Sequence, residues 1–226
     1  MSQFNLKIAF TPEQLGILYA TGTNVIIAKQ SEGRSPAVAW QVFRPMQSNT
    51  VSWKEEYGIY ASTADIKNGA VLRQLSSTPT GIETGKQYIL QSHGAISGPL
   101  NGGYPNTFIL SNQYSGKQYI VAGLYQNAIV NENSAIGNAV SATPVLMQSN
   151  AFMNPNTTIQ IWLQSQVISN SIVTNITSPV TELKFGGSVA DISVIYDSAS
   201  GKFVPAKSGA LKSSSDQPFN YIEPSL

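Results

Sequence analysis

The chain has 226 residues, 13 Lys and Arg against 12 Asp and Glu, and a formal charge of +1, so it carries no electrostatic footprint for nucleic acid. Only 11% of its residues are charged, against roughly 25% in an ordinary soluble domain, and the difference is made up by Asn, Gln, Ser and Thr. With no cysteine, disulfides, thiolate catalysis and Cys-ligated zinc or iron–sulfur centres are excluded.

The first residues, Met-Ser-Gln-Phe-Asn-Leu-Lys-Ile, lack the basic and long apolar regions of a secretory signal. No apolar run approaches the ~18 residues of a membrane-spanning helix. The expectation is cytoplasmic synthesis without a classical signal peptide, with release by a non-classical route or by lysis.

Residues 4–10 alternate and read as a first strand. A helix follows: Thr11 caps it, Pro12 suits its first position, and Gln14 completes a capping box with Thr11. Leu15, Leu18 and Tyr19 share a face, and Gly22 supplies a left-handed stop. The period then changes to two. Strands are predicted over residues 25–28, 38–43 (with Val38, Trp40 and Val42 on one face), 51–60, 70–75, 87–91, 107–110 and 118–124. The second half adds 144–147, 158–167, 172–176 and 182–185. A hairpin of 191–196 with 202–204 turns through Asp197-Ser-Ala-Ser-Gly201.

Two echoes suggest duplication. Met46-Gln-Ser-Asn49 recurs as Met147-Gln-Ser-Asn150, and Gly85-Lys-Gln-Tyr-Ile89 as Gly116-Lys-Gln-Tyr-Ile120. Their spacings differ, so both cannot mark one repeat. The Gly-, Ser- and Pro-rich stretch 92–105 is the one candidate break. The organisation expected is one compact β domain over 1–205, divisible into halves 1–100 and 101–205. Residues 206–226 form a C-terminal tail or an arm that docks on a neighbouring subunit.

Catalytic chemistry finds little footing. A Ser-His-acid triad would need the single histidine, His93, which lies in a Ser-His-Gly loop with no nucleophile elbow near it. Asp191 and Asp197 flank a hairpin and lack a calcium-loop pattern. Phosphate-cradling glycine motifs are absent. No cofactor or metal is implied.

Two aromatic positions carry the functional reading. Strict alternation along 51–60 puts Glu55 in a row with Val51, Trp53, Tyr57 and Ile59, where a carboxylate must be hydrogen-bonded, shifted in pKa or displaced. One extra residue, a bulge, would instead turn Glu55 outward. A carboxylate beside Trp53 and Tyr57 suits a sugar, whose apolar ring face stacks while its hydroxyls bond the acid. Along 158–167, Ile159, Ile161, Leu163 and Val167 form a core face, and Trp162 lies among Gln160, Gln164 and Gln166 on the other. An exposed Trp there would cover a sugar, a lipid interface or a subunit contact; alternatively it lies under a loop or the tail.

The fold expected is all-β, a β-sandwich with one short N-terminal helix. Small, cysteine-free, signal-less β proteins with surface aromatics include cytosolic lectins and β-sandwich cytolysins, an analogy of class alone. The function expected is non-enzymatic recognition of a glycan or lipid headgroup by Trp53, Glu55, Tyr57 and Trp162. A self-assembling structural subunit is the first alternative, favoured by the uncharged polar surface and the tail arm. A β-pore-forming toxin inserting residues 159–173 is the second.

Overall fold

The computed structural model describes residues 2–29 and 37–206; the predicted tail beyond Ala206 lies outside the described residues. In chain order the elements begin with β1 (Gln3–Ala9), α1 (Pro12–Ala20), β2 (Thr23–Lys29), β3 (Ala37–Ala39), β4 (Gln41–Phe43), β5 (Ser48–Lys54) and β6 (Gly58–Ser62). Next come β7 (Ser76–Ser77), β8 (Lys86–Leu90), β9 (Ile96–Leu100), β10 (Phe108–Asn112), β11 (Tyr119–Val130), β12 (Asn133–Ala139) and β13 (Thr143–Leu146). The last are β14 (Asn150–Met153), β15 (Thr158–Ser165), β16 (Ser171–Val173), β17 (Thr181–Lys184), β18 (Asp191–Asp197) and β19 (Lys202–Pro205).

The architecture is all-β and sandwich-like, with several packed sheets. One sheet of nine strands runs β19-β18-β1-β5-β11-β6-β7, and β12 and β13 occupy the remaining edge of β11. Two four-stranded sheets, β14-β10-β8-β9 and β17-β15-β2-β4, lie against it, and β3 pairs with β16 in a short ribbon. The main core joins all three larger sheets: Phe4, Leu6 and Ile8 of β1 share it with Val25 and Ile27 of β2 and with Tyr88, Leu90 and Leu110.

The β3–β16 ribbon determines what else is covered. A second cluster unites Val38 and Ile172 of the ribbon with Tyr60, Val121 and Tyr125 of the nine-stranded sheet. A third unites Ala39 and Val173 with Ile26, Ala28 and Trp162 of the β2–β15 pair. The ribbon therefore caps the outer faces of two sheets at once. This explains the near-continuous apolar runs of β2 and β11, which are buried on both faces.

Helix α1 forms as its capping residues dictate. The Thr11 Oγ1 accepts from the Gln14 N–H at 3.3 Å, and the Gln14 Oε1 accepts from the Thr11 N–H at 2.9 Å. The Gln14 amide also donates to the Tyr196 carbonyl and the Ser198 hydroxyl, which ties the helix to the β18–β19 hairpin. That hairpin follows the sequence closely: the Gly201 N–H bonds the Asp197 carbonyl at 2.9 Å, and the Asp197 carboxylate accepts from Ala199 and Ser200.

Several expectations need correction. The strand over 38–43 breaks at Trp40, because β3 joins the ribbon while β4 joins β2; Val38 and Trp40 consequently enter different clusters. The strand over 51–60 is interrupted after Lys54. Residues 70–75 contribute a single bridge, Val71 to Ser171, rather than a strand. The stretch 92–105 is no break but contains β9, paired with β8. Residues 159–173 span β15 and β16, which belong to different sheets. Every sheet mixes strands from residues 1–100 with strands from 101–205, and the echoed Met-Gln-Ser-Asn segments open β5, paired on both edges, and β14, paired only with β10.

Close packing of β11 against its neighbours is testable at Gly123. A Cβ there would lie 1.9 Å from the Ser141 carbonyl oxygen and 2.8 Å from the Tyr60 ring. Gly123→Ala is expected to lower stability in urea unfolding by at least about 2 kcal/mol. Gly16→Ala, in α1 with open space around it, is expected to raise it by about 0.5–1 kcal/mol.

Candidate functional site

The candidate site lies where β11 loses regular pairing on both edges. On one edge β5 aligns Ser52 with Ile129, whereas β6 aligns Gly58 with Tyr125, so the segment 53–57 holds two more residues than the β11 stretch it faces. On the other edge the β12 register shifts between Gln126 and Ala128, where β12 has one extra residue and Gly137 adopts φ +75°. The Asn127 Oδ1 fills that bulge by accepting from the Gly137 N–H at 2.8 Å.

Gln126, buried between the two irregularities, replaces the missing ladder. Its carbonyl accepts from the Trp40 Nε1 at 3.0 Å, and its Nε2 donates to the Lys54 carbonyl at 2.6 Å. Trp40 and Trp53 meet edge to face at 5.4 Å, and Phe185 stands 4.9 Å from Trp53.

Lys29 ends in this aromatic nest. Its Nζ lies 5.3 Å from the Trp40 ring centroid, 5.2 Å from that of Trp53 and 5.7 Å from that of Tyr57. The residue is 3% exposed, and its Nζ has no hydrogen-bond partner among the described residues. Among the described residues no carboxylate stands within ion-pair distance of it, and the one ion pair joins Lys86 to Glu83 at 3.9 Å. Burial therefore pulls the amine down to about 7, opposed by the Glu55 charge. The Tyr57 hydroxyl is pushed up by burial and then by the same Glu55 charge, against an opposing Gln126 hydrogen bond.

Beside this nest is an open cleft of about 340 Å³. Trp53 forms part of its wall, with Glu56, Asn127, Ser134, Ile129 and Ile136 among the other lining groups. The β12 bulge presents Ile136, which is 75% exposed, and Ile129 is 49% exposed. An aromatic, two aliphatic groups, an amide, a hydroxyl and a carboxylate thus share one concave surface.

The sequence-predicted residues divide accordingly. Trp53 and Tyr57 are brought together, but both are buried, so neither offers an open stacking platform. Glu55 is half-buried at the break after β5, its N–H bonded to the Ser2 carbonyl at 3.0 Å, near enough to Lys29 and Tyr57 for its charge to act on both. The extra residues are two rather than one, which preserves the inward row of Trp53, Tyr57 and Ile59. Trp162 is not exposed among glutamines: it is fully buried beneath the β3–β16 ribbon, its Nε1 donating to the Gln164 Oε1 at 2.9 Å. It takes no part in the site.

Lys29 was missed, yet the alternation argument applied to Glu55 would have found it. Val25, Ile27 and Lys29 share a strand face, and the first two are core. Gln126, Asn127 and Ile136 carry no comparable signal, since their placement depends on bulges. Comparison of the chain with known protein families, curated proteins and solved structures finds no match.

The buried amine makes stability depend on pH. Between its folded value of about 7 and the ordinary 10.5, the unfolded chain holds a proton at Lys29 that the folded chain lacks. Stability therefore rises with pH across that interval, by up to about 1.4 kcal/mol per pH unit, and is flat in this respect on either side. The raised Tyr57 and Tyr60 hydroxyls oppose the trend only above about pH 10, where the unfolded tyrosines ionise. Urea unfolding from about pH 7.5 to 9.5 is expected to show increasing stability in the native chain and a flatter profile in Lys29→Met, which is the more stable protein at pH 6.

Proposed function

We propose that the protein is a non-enzymatic binding module that holds a neutral, hydroxyl-rich ligand, a glycan, in the cleft beside Trp53. The observation that carries this reading is the mixed lining of that cleft. Ile129 and Ile136 match the apolar face of a pyranose ring, while Asn127, Ser134 and Glu56 match its hydroxyls. Asn127 is well suited: its Oδ1 is engaged by Gly137, which leaves its amide hydrogens for a ligand oxygen. The low overall charge agrees with a ligand recognised by hydrogen bonds and ring contact rather than by ionic attraction.

A screen of soluble neutral oligosaccharides followed by calorimetric titration tests this reading. Asn127→Ala and Glu56→Gln are each expected to weaken the best ligand about tenfold, a loss of about 1.4 kcal/mol. Lys202→Ala, on the distant β19 hairpin, is expected to leave it unchanged. Failure of every neutral saccharide at millimolar concentration, or binding indifferent to both cleft variants, overturns the proposal. Retention on liposomes without saccharide binding replaces the glycan with a lipid headgroup.

One observation favours self-assembly as a second reading. Among the described residues strand β14 pairs only with β10, leaving its other edge without a strand, and it carries Phe152, 57% exposed, with the Tyr104 ring 5.9 Å away. An open edge with exposed aromatics suits addition of another strand. Concentration-dependent growth in light scattering that Phe152→Lys abolishes would support it; a monomer at all concentrations would exclude it.

A further inference from the structure

The buried polar side-chain atoms without a hydrogen-bond partner among the described residues are Lys29 Nζ, Gln41 Nε2, Trp53 Nε1 and Gln126 Oε1. They belong to one neighbourhood. Lys29 stands over both Trp40 and Trp53, and Trp40 bonds the Gln126 carbonyl. Gln41 follows Trp40, and Asn138, the β12 partner of Gln126, donates to the Trp40 carbonyl at 3.0 Å and toward the Gln41 Oε1 at 3.4 Å. A core that elsewhere satisfies its polar groups thus concentrates its orphans around one primary amine.

We propose that Lys29 is a nucleophilic amine that captures small aldehydes reversibly as a Schiff base inside its aromatic nest. The argument is geometric first. Among the described residues no carboxylate stands within ion-pair distance to hold the amine protonated, and it is buried among three rings. Desolvation of this kind leaves the unprotonated, reactive form accessible near neutral pH, in agreement with the lowered value of about 7. Among the described residues, the groups near Lys29 that titrate or carry charge are Glu55, whose charge acts on it, and Tyr57, on which the same charge acts.

The step balances without a further reactant. The Nζ lone pair attacks the aldehyde carbon, the carbonyl π pair moves to oxygen, and a proton passes from nitrogen to that oxygen to give a carbinolamine. Loss of the hydroxyl as water, with the second nitrogen proton, leaves the C=N bond. Trp53 is common to the nest and the cleft: Lys29 stands over its ring, and the residue is among those lining the cleft. The burial of Lys29 restricts the substrate to short aldehydes. The proposal does not rest on glycan binding, which uses the cleft itself.

The test uses the full chain, acetaldehyde as probe and cyanoborohydride to trap the imine, with peptide mapping by mass spectrometry. Lys29 is expected to be alkylated at least tenfold faster than the exposed Lys7, Lys54 and Lys202 at neutral pH, with its rate half-maximal near pH 7. In urea the difference should vanish, because the unfolded lysines share one environment. Lys29→Met should lose the fast site and leave the other rates unchanged. Labelling of Lys29 in the folded protein no faster than that of Lys54 overturns the proposal, and since this is read on the native chain it requires no variant to fold.

Discussion

The structure depends on how β11 satisfies its backbone where it loses ladder pairing on both sides. A central strand with unpaired N–H and C=O groups is unstable unless other donors and acceptors replace its neighbours. Gln126 supplies that replacement, its carbonyl taking the Trp40 indole N–H and its amide reaching the Lys54 carbonyl. These two bonds fix the positions from which the rest follows. Trp40 is drawn out of strand geometry into the core, which divides β3 from β4; Lys54 is held at the end of β5, which places Glu55 and Glu56 in the break beyond it.

The division at Trp40 has a second consequence. Because β3 departs to pair with β16, one short ribbon covers both the β6–β11 region and the β2–β15 pair. A chain with few charges gains from such an arrangement. It buries both faces of several strands with few residues, and the polar groups brought inside are amides and hydroxyls that can bond locally, as Trp162 does with Gln164 and Asn170 with the Ala139 N–H. Charged side chains at those positions would require paired partners, at a desolvation penalty of several kcal/mol per ion.

Features determined locally were legible in the sequence. The capping box of α1, the Asp197–Gly201 turn, the alternation of β1 and that of Ile159, Ile161 and Leu163 in β15 follow from neighbouring residues, whereas Val167, expected on the same core face, packs beyond the strand's end against the Trp162 cluster. Features set by register between distant strands were not legible. Nothing within residues 158–167 reveals that a ribbon from residues 37–39 and 171–173 covers Trp162, so a polar flank was mistaken for an exposed one. Glu55 shows the boundary between the two cases. Its conflict with an apolar row was legible and marked a real irregularity, but the remedy, two inserted residues facing a bulge on the opposite edge of β11, involves residues about seventy positions away. β12 itself, whose Ala-Ile-Gly-Asn-Ala interior has no strong β pattern, gave no warning of the cleft it helps to form.

Lys29 is the position at which stability and surroundings disagree. A methionine would occupy similar volume without desolvating an amine, and the aromatic contacts of the lysine, each about 0.5–2 kcal/mol, do not match a penalty of several kcal/mol for burying its charge. The balance therefore falls to the neutral amine near neutral pH, where the rings act as walls more than as counter-charges. The buried polar atoms without partners among the described residues gather in this one corner of the molecule, beside the cleft that Trp53, Asn127 and Ile136 help to line. Gln126, which bonds both Trp40 and the end of β5, ties the wall of this nest to the break that carries Glu55 and Glu56.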